Sequence, residues 1–284
     1  MSSEYNQLSL AAAYVKERFA LQSDSVLDMA VVLGSGWGGL VDRLEEAQSV
    51  SYHDIPGFGA VSVAGHGSRL WAGTFNGWRL LVFQGRFHLY EGYRACEVVR
   101  PVELAAELGC PRLLLTNAAG GVSAHFQPGD FMFIEDHLNL TGDNPLRGLH
   151  DAFIDLSRLY RKDLYLALNL RMQSLGIRIH SGVLASLPGP SYETPAEVRM
   201  IEVLGGHAVS MSTVPEAIMA CYRGLEVVAL SLISNYAAGV ADVPLSHEDV
   251  LAAGDKASGL CSELVSALVD CWRSVNECSL VQRQ

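Results

Sequence analysis

The sequence predicts an α/β fold: a mixed, largely parallel central β-sheet flanked by helices on both faces. Three observations carry that prediction. Apolar runs of strand length alternate with segments of helical periodicity along most of the chain. The runs are apolar nearly throughout, as in strands that are covered on both sides. Hydrophobic residues make up 49% of 284 positions, enough for a substantial core.

Each element follows in order. Leu8, Ala11, Ala12, Val15, Phe19 and Ala20 recur at helical spacing, which predicts a helix within residues 1–26. "LDMAVVL" reads as a buried strand feeding the glycine turn "GSGWGG". Further strands are predicted at "RLWAGTF", "RLLVFQG", "RLLLTNA", "DFMFIED", "IHSGVLASL" and "LEVVALSLIS". Helices fall between them at about 95–108, 161–175, 195–204 and 214–223, with a long last one at about 247–275. In that helix Ser246 is placed to cap and Asp249 stands at the third position. Leu260, Cys261, Leu264, Val265, Leu268, Trp272 and Val275 share one stripe. No linker, repeat or low-complexity block divides residues 1–284, which predicts one domain, although "TGDNPLRGLHDAF" at 141–153 reads as a long excursion.

Composition narrows the function. Lys and Arg number 20 against 31 Asp and Glu, for a formal charge of -11, and no basic tract suggests nucleic acid as a partner. Any anion site must be local. The six cysteines, at 96, 110, 221, 261, 271 and 278, form no C-x-x-C pair and read as free thiols in a reducing cytosol, not as a metal site. With neither a signal-peptide pattern at the N-terminus nor 18 uninterrupted apolar residues, the expectation is a cytoplasmic protein without a membrane partner.

The glycine turn admits two chemistries. Gly34, Gly36 and Gly39 fit G-x-G-x-x-G after a strand, with Asp54 downstream, which is the dinucleotide fingerprint of a nicotinamide-dependent dehydrogenase. The same turn also suits an inorganic anion. Candidates for its partners lie just after other apolar runs, where strand ends share a crevice. In "LVFQGRFHLYEG", Arg86 and His88 are two apart, so extended chain points both to one side, although a surface arginine beside a satisfied histidine reads equally well. His66 sits between glycines in "SVAGHGSRL", a place for a ligand or for a solvated turn.

Two helix starts add more. In "GPSYETPAEV", Thr194, Pro195 and Glu197 form a capping box and leave Glu193 free to point elsewhere. In "SMSTVPEAI", Thr213 and Glu216 form a second box and leave Ser212 at the helix mouth, where anions are attracted. "TNAAGG" and "SLISNYAAG" each end an apolar strand with an amide and small residues, as turns do, but also as backbone does where it lies against a flat ligand.

Taken in order, "LGSGWGGL", "PGFGAVSVAGHGSRLWAG", "QGRFHLYEGY", "TNAAGGV", "GDFMFIEDHLNL", "NPLRG", "GPSYETPAEVRM", "MSTVPEAIMA", "SLISNYAAG" and "LSHEDVL" resemble the trimeric purine nucleoside phosphorylases, over about residues 27–270. The "YAAG" segment is closest to the bacterial branch. The resemblance implies phosphorolysis of a purine nucleoside by inorganic phosphate to free base and pentose 1-phosphate in purine salvage, by a homotrimer, with phosphate as co-substrate and without cofactor or metal.

By that resemblance Ser35, His66, Arg86, His88, the Ala118 backbone and Ser212 would hold phosphate. Ala118, Tyr192, Val209 and Met211 would line the purine, with Glu193 and Asn235 on its edge. Tyr90, Met211 and His247 would meet the ribose, and Phe153 matches the aromatic lent by a neighbouring subunit. Glu193, Asn235, His88 and His66 would be the catalytic groups. A carboxylate at 193 suits the ring N–H of a 6-oxopurine, as in inosine and guanosine, and Asn235 can serve either edge after an amide flip. The related methylthioadenosine phosphorylases carry aspartate where Asn235 stands. Ser210 replaces a glycine common in relatives, and the loop before Phe153 is shorter than theirs. A xanthosine- or methylthioadenosine-type enzyme, a dehydrogenase and a non-catalytic purine sensor are the competing expectations.

Overall fold

Every predicted apolar run is a strand, and their apolar stretches are buried on both faces except in "RLWAGTF", where four of the seven residues are half-buried. The computed structural model describes residues 2–22, 26–59, 67–123, 125–241 and 247–281, and the side chains of all of these except 2–5, 247, 249 and 276–281. In chain order the elements are α1 (Ser2–Arg18), β1 (Met29–Leu33), a 3-10 turn (Gly38–Arg43), β2 (Glu45–Ser51), β3 (Arg69–Phe75), β4 (Trp78–Gln84), α2 (Ala95–Val98), α3 (Arg100–Glu107) and β5 (Arg112–Gly121). They continue as β6 (Phe131–Asn139), α4 (Tyr165–Gln173), β7 (Ile179–Ser186), α5 (Pro195–Val203), β8 (Ala208–Ser210), α6 (Val214–Tyr222), β9 (Glu226–Tyr236) and α7 (His247–Val281).

Among the described residues one mixed sheet runs β2-β3-β4-β1-β5-β8-β7-β6-β9, and β5 also pairs with β9. That extra pairing closes β5, β8, β7, β6 and β9 into a ring. It depends on the end of β5, where Gly120 is in register with Val209 of β8 and with Asn235 of β9. A side chain there would crowd the junction, since a Cβ on Gly121 would lie 3.1 Å from Phe126 and 3.2 Å from Ile233. The small residues of "TNAAGG" therefore let one strand serve two neighbours.

The strand faces separate two main cores, as period-two alternation requires. Ala30 and Val32 of β1 join α1, α3 and α6 on one side. Met29, Val31 and Leu33 join α4 and α7 on the other.

Several expectations need correction. The helix expected at about 95–108 is two, because Pro101 has no N–H to continue the ladder and restricts Arg100 before it. Strands β2 and β8 were not expected: β2 is a mostly exposed edge strand, and β8 spans three residues. Ala20 lies beyond α1 at φ 50°, and Leu260 is 42% exposed, off the buried stripe formed by Cys261, Leu264, Val265, Leu268 and Trp272. Ser246, expected to cap α7, lies outside the described residues. The described cysteines 96, 110, 221, 261 and 271 are free thiols, with 96 and 221 partly exposed. No described helix is long and apolar enough to cross a membrane.

Candidate active site

The strand ends converge on a cleft of about 120 Å³. Of the residues expected at the site, Ser35, Arg86, His88, Tyr90, Ala118, Tyr192, Glu193, Val209, Met211, Ser212 and Asn235 line it. His66 and the side chain of His247 lie outside the described residues, although His247 begins α7, whose Val250 reaches the cleft. Phe153 is not part of the cleft of its own chain; it is wholly solvent-exposed.

A larger cavity, of about 620 Å³, lies between α1, α2, α3 and the 145–149 loop. Its arginines face acidic neighbours: Arg94 and Arg100 meet Glu97, Arg147 meets Asp143 and Arg223 meets Glu107. Size therefore does not locate the chemistry; polar convergence does.

One end of the cleft gathers hydrogen-bond donors around a buried guanidinium. Arg86 is 1% exposed. Its Nε donates to Glu216 Oε1 at 3.1 Å, and its Nη1 donates to the Thr116 carbonyl and, at 3.4 Å, to Ser212 Oγ. The preceding Gly85 has φ 111°, which glycine adopts freely, and its carbonyl accepts from the Tyr52 hydroxyl at 2.7 Å. Burial pushes the Tyr52 hydroxyl well above the usual phenol range, so it stays a donor.

His88 and Tyr90 stack with centroids 4.6 Å apart and planes 16° apart. Burial lowers the His88 pKa, partly opposed by its hydrogen bond to Glu91, whose Oε2 lies 3.3 Å from Nδ1 and accepts from the His88 N–H at 2.9 Å. Burial also raises the Tyr90 hydroxyl to about 12. A bound anion would favour the charged imidazole, so the site couples anion and proton.

Ser212 stands at the mouth of α6, as its position before the Thr213 box predicts. Thr213 adopts φ 78°, an outlier for a β-branched residue. Three contacts hold the corner. The Thr213 N–H donates to Glu216 Oε2 at 2.9 Å, Asn117 Nδ2 donates to Thr213 Oγ1 at 2.8 Å, and Ser186 Oγ donates to the Ser212 carbonyl at 3.1 Å.

The other end is flatter and more apolar, with Ala118, Val209 and Met211 along it. Glu193 is 8% exposed, and its Oε1 is buried without a hydrogen-bond partner. Burial raises its pKa, a cost that a donor on a ligand would relieve. The amide of Asn235 is fixed: Nδ2 donates to the Tyr236 carbonyl at 2.8 Å and Oδ1 accepts from Ser234 Oγ at 2.7 Å. A carbonyl can only accept, so the amide flip expected from the sequence is opposed. One Nδ2 hydrogen and one Oδ1 lone pair remain for a ligand.

Sequence reasoning missed Glu216, Glu91 and Ser210. Glu216 looked like a capping residue alone. Its further signal was position, since α6 is apolar nearly all round and an acid there needs a buried cation. Ser210 Oγ lies 3.4 Å from Ser212 Oγ and adds a hydroxyl to that end of the cleft.

The fingerprint glycines also have another cause. The chain after them makes a 3-10 turn and the edge strand β2, not the helix whose N-terminus would hold a pyrophosphate. That removes the structural context of the dehydrogenase reading.

A buried guanidinium, serine hydroxyls and an imidazole gather at one end of the cleft, and a carboxylate with one unpaired oxygen and an oriented amide at the other. Residues 28–270 match the model of the Phosphorylase superfamily, and the chain belongs to that family. It is similar to purine nucleoside phosphorylase 1 of Geobacillus stearothermophilus, at 44% identity over 91% of this chain and 95% of the relative. Its counterpart in Bacillus subtilis is 43% identical over 93% of this chain and 98% of that one. The crystal structure of schistosoma purine nucleoside phosphorylase in complex with hypoxanthine aligns with TM-score 0.85 and 33% identity, covering 93% of this chain and 96% of that chain.

Proposed function

We propose that the protein is a pentosyltransferase that cleaves purine nucleosides with inorganic phosphate, releasing the base and pentose 1-phosphate. The observation that carries this reading is the single cleft joining the Arg86, His88 and Ser212 nest to Glu193 and Asn235. Phosphate bound by Ser35, Arg86, His88, Ser212 and the Ala118 backbone, with His66 beside it, stands where it both stabilises the positive sugar and attacks it. Attack by a pre-positioned co-substrate needs no protein nucleophile, cofactor or metal.

The departing base gains negative charge, and Asn235, with a spare N–H, is placed to stabilise it. Donors aimed at developing charge usually supply the largest catalytic share. Glu193 accepts from the ring N–H of a 6-oxopurine, whereas adenine would present a bare nitrogen to a buried carboxylate. The preference is therefore inosine and guanosine over adenosine. Xanthosine and the deoxy forms of inosine and guanosine keep a ring N–H at that edge and fit the same argument.

The proposed assembly is a homotrimer in the cytoplasm, acting in purine salvage. An exposed Phe153 and the apolar face of α5, where Met200 is 46% and Val203 87% exposed, support coverage by neighbouring copies. In the trimer Phe153 closes a neighbour's ribose pocket, with Tyr90 and His247 on the other side. Incubation with inosine tests the reaction: hypoxanthine release is expected only when phosphate is added. Release at the same rate without phosphate would mark a hydrolase instead.

A further inference from the structure

The turn that carries Ser35 is held between two backbones. On one side a Cβ on Gly34 would lie 2.6 Å from the Thr116 carbonyl oxygen and 2.7 Å from Asn117 Cα, and Trp37 Nε1 donates to the Asn117 carbonyl at 3.0 Å. On the other side is α7. A Cβ on Gly254 would lie 2.5 Å from Gly36 Cα and 3.0 Å from its nitrogen, and one on Gly36, at φ 84°, would lie 2.6 Å from Gly254 Cα. These are backbone atoms, so no side chain can swing away.

Gly254 is itself within a regular helix, where alanine is better by about 1 kcal/mol. The close approach accounts for the missing methyl. Val250, Gly254 and Ser258 are spaced by four and share one face. Val250 lines the cleft, Gly254 touches Gly36, and Ser258 meets Gly39, whose Cβ would lie 2.3 Å from Ser258 Oγ.

We propose that Gly254 is a positioning residue for phosphate, because the methyl-free face of α7 fixes where the Ser35 hydroxyl stands in the cleft. This rests on Ser35 as a phosphate ligand. An added methyl at 254 separates α7 from the turn and displaces that hydroxyl, while Arg86, held by Glu216 from α6, stays in place. Affinity for phosphate then falls more than affinity for nucleoside.

The test compares Gly254→Ala with Gly259→Ala, which lies on the same helix with nothing within 4 Å of its added Cβ, and with Ser35→Ala as benchmark. KM is measured for phosphate and for inosine, and binding of inorganic phosphate alone by calorimetry. Gly254→Ala should raise the phosphate KM about tenfold, less than the roughly 100-fold that a full 1 Å misplacement can cost, with a smaller rise for inosine. Gly259→Ala should leave both unchanged. Equal rises for the two substrates, or an unchanged phosphate KM, would overturn the inference. If Ser35→Ala also leaves phosphate unaffected, the assignment of the turn to phosphate fails with it.

Should Gly254→Ala not fold, Gly39→Ala is read instead, because its clash is with a single removable hydroxyl. A raised phosphate KM restored by adding Ser258→Ala supports the docking of α7 on the turn. No change in either Gly39→Ala or the bulkier Gly39→Val contradicts it.

Discussion

Glu216 Oε1 accepts a hydrogen bond from Arg86 Nε at 3.1 Å, and the two side chains are 2% and 1% exposed. The carboxylate also holds the strained Thr213 through its N–H, so one residue neutralises the nest's cation and shapes its serine corner. Replacing Glu216 by Gln should leave an uncompensated buried charge and cost about 3–5 kcal/mol. Denaturant unfolding measures the loss, and a change within error would show that the pair is not structural.

Glu193 carries the opposite trade. Its buried carboxylate has an unpaired oxygen, so Glu193→Gln should keep or raise thermal stability while kcat/KM for inosine drops on the order of 100-fold. Loss of both together would mean that Glu193 serves the fold.

Asn235 sets the other half of base choice. Asn235→Asp replaces the donor facing the Tyr236 carbonyl with an acceptor and should lower inosine turnover while improving that of adenosine. The ratio of kcat/KM for the two nucleosides is the readout, and an unchanged ratio counts against the assignment.

The pH dependence has a definite sign. Because burial lowers the His88 pKa, the folded state binds its proton less readily than the unfolded chain. Its contribution is present above the unfolded value of about 6.5 and is lost as pH falls below that toward the folded pKa. By NMR the imidazole should titrate below 6.5, move lower in Glu91→Gln, and move higher when phosphate is added. A midpoint insensitive to phosphate would separate His88 from the anion.

Phe153 tests the assembly. It touches nothing in the cleft of its own chain, so Phe153→Ala should leave the melting temperature unchanged and raise the nucleoside KM. An unchanged KM would remove it from the ribose pocket.

Much of this was legible because strand-end polar residues stand out against apolar runs: Arg86, His88, Asn235 and Ser212 were all named from their neighbours. What was hidden depends on tertiary pairing. A three-residue strand such as β8 has no period to read, and closure of the ring rests on Gly120 facing both Val209 and Asn235. Local grammar also misled. Glu216 fulfils a capping pattern that conceals its bond to Arg86, 130 positions away. The G-x-G-x-x-G spacing records how closely α7 packs, with Gly36 against Gly254, as much as what the turn binds.

Everything proposed for the cleft requires that the nest grip inorganic phosphate beside the glycosidic bond. A crystal of the protein with phosphate and a slowly reacting 6-oxopurine nucleoside analogue would show where the anion sits. Phosphate is expected within hydrogen-bond distance of Ser35, Arg86, His88 and Ser212, on the sugar face opposite the base. Phosphate density at the arginines of the larger cavity, with the nest holding only water, would contradict it.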